Sequence, residues 1–193
     1  MLNSEFIKKW LHENFDIIFI SETHLTKGQS FNFHDYIPFH NAFTSPNKSH
    51  PRGGVSCFIK PSHMRLIKKI TMDITDQIYV ELKNGHIVFC TYIAPTDSPY
   101  FDITDFCKIA NIFTSHNRAV FGGGDINSRV GNIKMKLSAG MSYRPNPDNT
   151  VNDHGKEITK ICKSFNCFIV NNLNFKRKMF DSDFTFYRGE FKS

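Results

Sequence analysis

Asp16-Ile17-Ile18-Phe19-Ile20-Ser21-Glu22-Thr23-His24-Leu25 is the stretch whose reading decides the fold. The unbroken apolar run Ile17 to Ile20 has the length of a strand and suits one buried on both faces. It stops at the polar Ser21-Glu22-Thr23-His24. Just upstream, Phe6, Ile7, Trp10 and Leu11 fall on one face at helical spacing, with Asn3 or Ser4 available as the N-cap. A short amphipathic helix followed by a buried strand points to α/β layering.

Working outward, loop signals fill Lys27 to Arg52, including Pro38, Pro46 and Pro51, before Gly54-Val-Ser-Cys-Phe-Ile59 resumes a strand. Ile78, Val80 and Leu82 alternate, Asn84-Gly85 signals a type I′ turn, and Ile87 to Ile93 returns as the second strand of an antiparallel hairpin. Beyond the Pro95 to Pro99 loop, Phe106, Ile109, Ala110 and Phe113 mark a second helix. Ala119-Val-Phe121 is a strand ending in Gly122-Gly-Gly-Asp-Ile-Asn127, so that carboxylates stand at a strand's C-terminal end, where open α/β sheets place their sites. Ser128 to Thr150 is too long for a mere connection. Ile158, Ile161, Cys162 and Phe165 predict a third helix, and short strands follow at Phe168 to Val170 and Phe184 to Tyr187. Neither a repeat nor a low-complexity tract interrupts the chain. Mixed strand pairing with three amphipathic helices predicts one layered α/β sandwich domain over 1–193.

Composition agrees. The chain has 193 residues, 40% of them apolar, enough to bury roughly 70% of its unfolded surface and to exclude intrinsic disorder. Five scattered cysteines, four inside apolar segments and none in a CxxC pair, read as buried thiols of a reducing compartment and argue against a structural zinc. The longest apolar run is far below the ~20 residues of a membrane span, and no signal-peptide h-region opens the chain. The expectation is a soluble intracellular protein without a membrane partner. A net charge of +6 suits a polyanion and is equally compatible with simple solubility. Most of the 20 Phe fall at core-like positions that packing explains.

Three polar clusters end or follow strands: Ser21 to His24, Tyr92 with Pro95, and Gly124 to Asn127. Singly, each has a plain structural explanation. A lone Glu or Asp after a strand is more often a turn or cap residue than a ligand, and a lone His24 is more often simply exposed. Gly122 to Gly124 lacks the Lys-Ser/Thr of a phosphate-binding P-loop, so conformational freedom near a close backbone explains it better. Cys162 and Cys167 read as core, not as a metal site.

Taken together and in order, Asp16 to Leu25, Arg52-Gly-Gly-Val55, Tyr92-Ile-Ala-Pro95, Gly124-Asp-Ile-Asn127 and the Asn152 to Asn171 segment resemble the endonuclease/exonuclease/phosphatase superfamily. The nearest likeness is to the apurinic-like endonuclease domain of non-LTR retrotransposons, with Ser21 in place of a usual Gln and Ile126 in place of a usual Phe. The resemblance implies a four-layer α/β sandwich, two mixed sheets packed face to face and flanked by helices. Glu22 would then be the ligand of Mg2+, for which Mn2+ could substitute, since a small hard cation takes carboxylate oxygen and keeps several waters. Asp125 would orient or deprotonate the attacking water, and Asn127 and Tyr92 would support a phosphate oxygen as its charge grows. Arg52, His24 and Asn152 would contact DNA. No obligate protein partner is implied, though a fused reverse transcriptase and a nuclear location would suit the type.

The same likeness predicts a chain incomplete at both termini. It starts at what resembles the family's first helix, and Ser193 falls where a Ser-x-Ile-Asp motif begins, ahead of a Ser-Asp-His. The expected function is accordingly a Mg-dependent, DNA-nicking phosphodiester endonuclease domain, impaired because the phosphate-contacting His and its Asp partner are absent. Two alternatives accompany it: a catalytically dead nucleic-acid or protein binding fragment, and a phosphodiesterase of the same fold acting on a lipid or inositol phosphate.

Overall fold

A computed structural model of the chain describes residues 5–42, 52–114, 119–134, 141–143, 148–167, 169, 173–175, 187–188 and 191–192. The chain divides into two compact units, Met1–Ile126 and Asn127–Ser193.

The first unit opens with α1 (Glu5–Asn14) and β1 (Ile17–Ser21), close to expectation. β2 (Ile37–Asn41) and β3 (Val55–Ile59) complete an antiparallel sheet of order β1-β3-β2. Two expectations change here. The strand buried on both faces is β3, all five of whose residues are buried, whereas only Ile18 of β1 is. The reason is position, because β3 is paired on both sides while β1 borders one strand. β2 lies within the stretch read as loop, and Pro38 was the misleading signal. Proline lacks the ladder donor but is tolerated on a strand at the side of a sheet, which is where β2 sits.

After a 3-10 helix (Pro61–Leu66) come β4 (Ile67–Thr71), β5 (Gln77–Leu82) and β6 (Ile87–Thr91), then α2 (Thr104–Thr114) and β7 (Val120–Gly123). These strands form a mixed sheet of order β4-β5-β6-β7, antiparallel except for the parallel pair β6/β7. A parallel pair needs a crossover, and α2 supplies it. Phe106, Ile109 and Ile112 are its buried residues, and Phe113 meets Phe89 of β6 edge to face at 6.2 Å. The β5/β6 hairpin is present, but its turn is not type I′. Gly85 alone has a positive φ, at 84°, and it donates to the Leu82 carbonyl at 2.9 Å, while Leu82 N–H bonds the His86 carbonyl at 2.8 Å. That is a three-residue loop with glycine in the left-handed position.

The core follows from strand alternation. Val55, Cys57 and Ile59 of β3 cluster with Ile78 and Val80 of β5 and Cys90 of β6. The other face of β3 offers Phe58 to Ile18, Phe33 and Tyr36, with Leu11 of α1 packed against them. Each such side chain, fully buried, contributes on the order of 1.5–3 kcal/mol. The Tyr36 hydroxyl donates to the Phe15 carbonyl at 2.5 Å and so ties this cluster to the end of α1.

In the second unit β8 (Met141–Tyr143) pairs antiparallel with β9 (Leu173–Phe175), and β10 (Tyr187–Arg188) with β11 (Phe191–Lys192). α3 (Asp153–Ser164) buries Ile158 and Cys162, as the periodicity predicts, and also His154 and Thr159. Of the strand expected at 168–170 only Ile169 is described, and of the one at 184–187 only Tyr187, which belongs to β10. Strands in a three-stranded antiparallel and a four-stranded mixed sheet, together with helices, make the fold α/β. Among the described residues no helix is long and apolar enough to cross a membrane.

Candidate functional site

The site is built where strands end. Past Ser21 the backbone of β1 leaves the extended region, with φ of 54° at Glu22 and 53° at His24. Left-handed φ costs a non-glycine residue roughly 1–2 kcal/mol, so something must hold it. Two backbone bonds do so, Thr23 N–H to the Gly54 carbonyl at 3.2 Å and His24 N–H to the Gly53 carbonyl at 3.0 Å. Gly54 is itself at φ 84°, and a Cβ there would stand 2.7 Å from Thr23 Oγ1. The Arg52-Gly-Gly-Val55 motif is therefore the backing of the Glu22 turn.

Tyr92 follows β6, with the Glu22 carboxylate near enough to act on its phenol. Burial raises the Tyr92 pKa most, with further increases from the Glu22 charge and hydrogen bond and then from Asp125 and Asp76. The phenol is thus a neutral donor beside negative charge. Asp125 is placed by β7, which must approach β6 closely. A Cβ on Gly124 would lie 1.9 Å from the Thr91 carbonyl oxygen, and Ile93 N–H bonds the Asp125 carbonyl at 2.9 Å. Glu22, Tyr92 and Asp125, expected from scattered segments, thus gather at one place in the first unit.

A fourth residue belongs with them and was missed. Asp76, at φ 58°, accepts a hydrogen bond from Gly54 N–H at 2.5 Å through Oδ1. Burial, offset in part by that bond, raises its pKa from 3.8 to about 6; Asp105 raises it further and Lys108 opposes. The sequence signal was faint, since an Asp just before a strand reads as a turn residue. An open cleft of about 310 Å³ is lined by Asp76, Tyr92, Arg52, Ser98, Tyr100 and Asp105 among others. Arg52 is exposed, with its guanidinium carbon 5.8 Å from the centroid of the Tyr100 ring, a cation–π arrangement.

The remaining expected residues are elsewhere or otherwise engaged. His24 is exposed beyond the Glu22 turn. Asn152 caps α3, its Oδ1 accepting from Gly155 N–H at 2.8 Å and Arg129 N–H at 2.9 Å, while Nδ2 donates to the Asn127 carbonyl at 2.7 Å. Its amide therefore serves the backbone and holds Asn127, at φ 48°, in a left-handed turn. Asn127 and Asn152 both lie in the second unit.

Among the described residues no group of three or more His, Cys, Asp or Glu side chains is arranged to hold a metal ion. The donors beside Tyr92 are all oxygen, a set that fits a hard cation bound by one or two carboxylates with water and substrate oxygen completing the shell. No protein-family model matches the chain, and no curated protein matches its sequence.

Proposed function

We propose that the first unit carries the reaction centre of a metal-assisted phosphodiester endonuclease acting on DNA. The observation that carries this reading is the hydrogen-bonded convergence of the strand ends that bear Glu22, Asp76, Tyr92 and Asp125. Carboxylates repel a phosphodiester, so strand ends that bring them together need a cation before they can accept one. Glu22 offers the carboxylate oxygen for Mg2+, which when bound would act as a Lewis acid toward the phosphate oxygens. Tyr92 stays neutral beside the Glu22 carboxylate. Asp125 takes the proton of an attacking water. Arg52, exposed over Tyr100, is the candidate contact to the DNA backbone, consistent with the net charge of +6. The four-layer packing of that family belongs to this reading too.

Titration calorimetry with Mn2+ and plasmid nicking with Mg2+ test it. Glu22→Gln should abolish Mn2+ binding without changing the circular dichroism spectrum, and Asp125→Ala should lower any Mg-dependent nicking by on the order of 10²-fold or more. Metal affinity unchanged in Glu22→Gln would remove Glu22 from the site. Nicking indifferent to Asp125 would remove the reaction.

A further inference from the structure

Glu22 stands at the end of β1 in the three-stranded sheet, whereas Tyr92 and Asp125 stand at the ends of β6 and β7 in the four-stranded one. Side chains carried by two different sheets meet in a fixed geometry only if the strand ends are tied together. One path of ties runs through Asp76. Thr23 and His24 N–H groups bond to the Gly54 and Gly53 carbonyls, the Gly54 N–H bonds to Asp76 Oδ1, and the Asp76 carbonyl accepts from Tyr92 N–H at 2.8 Å. Ile93, next in line, bonds to Asp125. From Glu22 to Asp125 there is thus a continuous hydrogen-bonded path in which every link is backbone except the carboxylate of Asp76. The loop bearing Asp76 is braced from the three-stranded sheet a second time, because Asn41 Nδ2 donates to the carbonyls of Ile74 at 2.5 Å and Gln77 at 2.7 Å.

We propose that Asp76 is a positioning residue of this site, a side-chain clasp that fixes the Glu22 turn of one sheet against the Tyr92 and Asp125 strand ends of the other. The inference rests on the reaction-centre reading for its functional meaning, but the clasp itself can be tested separately. The room around it fits the role: a Cβ on Gly53 would lie 2.8 Å from Asp76 Oδ1, so the carboxylate lies tight against the glycine pair. Its left-handed backbone, shared with Glu22 and His24, is the strain expected of a residue held by its surroundings. A carboxylate accepting a backbone N–H is also the stronger kind of hydrogen bond, which suits a link between sheets.

Asp76→Asn and Asp76→Ala discriminate the clasp from the charge, because both remove the charge and only Asn keeps an acceptor oxygen for Gly54 N–H. Amide hydrogen exchange at Thr23, His24 and Gly54, measured well below the unfolding temperature, should accelerate at least tenfold in the Ala variant and stay within threefold of wild type in the Asn variant. Mn2+ affinity should be at least fivefold weaker in Ala than in Asn. A residue important only for global stability would change the melting temperature of both variants and leave these two contrasts flat. Equal exchange in Asn and Ala overturns the clasp. Altered exchange with equal Mn2+ affinity overturns its positioning role. If wild type binds no Mn2+, the reaction-centre reading of Glu22 fails, and the exchange contrast still decides whether Asp76 ties the strand ends.

Discussion

Asp76→Asn also separates charge from hydrogen bonding in the energetics of folding, and the pKa of Asp76 fixes the sign. Burial lifts its carboxyl from 3.8 to about 6. A group whose folded pKa lies above its unfolded value contributes stability that is complete below the unfolded pKa and is lost as pH rises through the folded one. The window here runs from 3.8 to about 6. A displacement of that size corresponds to at most ~3 kcal/mol at 1.36 kcal/mol per pH unit, and the carboxyl's partial contact with solvent lowers the expectation to ~1–2 kcal/mol. The carboxamide of Asn carries no ionisation cost and keeps the acceptor for Gly54 N–H. Asp105, which raises the pKa, and Lys108, which lowers it, are unchanged in the variant.

Urea unfolding of both proteins across the range from about pH 4 to about pH 8 is the assay. Other titrating groups contribute to both curves, so the quantity of interest is the stability of the variant minus that of wild type. This difference should rise by ~1–2 kcal/mol toward neutral pH and level off above the folded pKa. A flat difference, or an Asn variant that loses ground as pH rises, would show that Asp76 is not buried against the glycine pair as described.

Two further outcomes follow from the same structure. Asn152→Ala removes an N-cap and two more hydrogen bonds, to Arg129 N–H and the Asn127 carbonyl, so it should cost about 2 kcal/mol of stability in thermal unfolding; a loss of DNA affinity with unchanged stability would instead restore the contact role read from sequence. Thiol labelling at neutral pH should reach the exposed Cys107 first and Cys57, Cys90 and Cys162 last, since burial raises the Cys57 thiol and pushes Cys90 up to about 12 and Cys162 to about 11; simultaneous labelling of all five would contradict the described packing.

The parts of the fold that sequence revealed are those governed by local rules. The α1 stripe, the β5/β6 alternation, the α2 and α3 periodicities and the glycine run ahead of Asp125 each answer to backbone geometry within a few residues. Which strand is central is a matter of neighbours, and β1 and β3 are similar apolar runs that only pairing distinguishes. β2 was hidden because Pro38 signals a loop unless the strand's position at the side of a sheet is already known. The site divides along the same line. Glu22, Tyr92 and Asp125 stand out as polar residues closing apolar strands. Asp76 does not, because its importance comes from a bond to Gly54, 22 positions away in sequence.

The backbone marks the same residues from a different direction. Six non-glycine residues among those described have left-handed φ, and Glu22, His24, Asp76 and Asn127 are four of them. A local rule broken at one position is unremarkable. Broken at Glu22, His24 and Asp76, which the bonds through Gly53 and Gly54 join, it implies that the surroundings over-determine these turns. The electrostatics lead to the same conclusion. Tyr92 is held as a neutral donor, so it cannot offset the charge of Glu22, Asp125 and Asp76 around it. Two responses are open to such a group: protonation, which Asp76 undergoes near its pKa of about 6, or the arrival of a cation. A carboxylate that ties two strand ends together thus also adds to the negative field around Tyr92, in which a phosphodiester would have to be received.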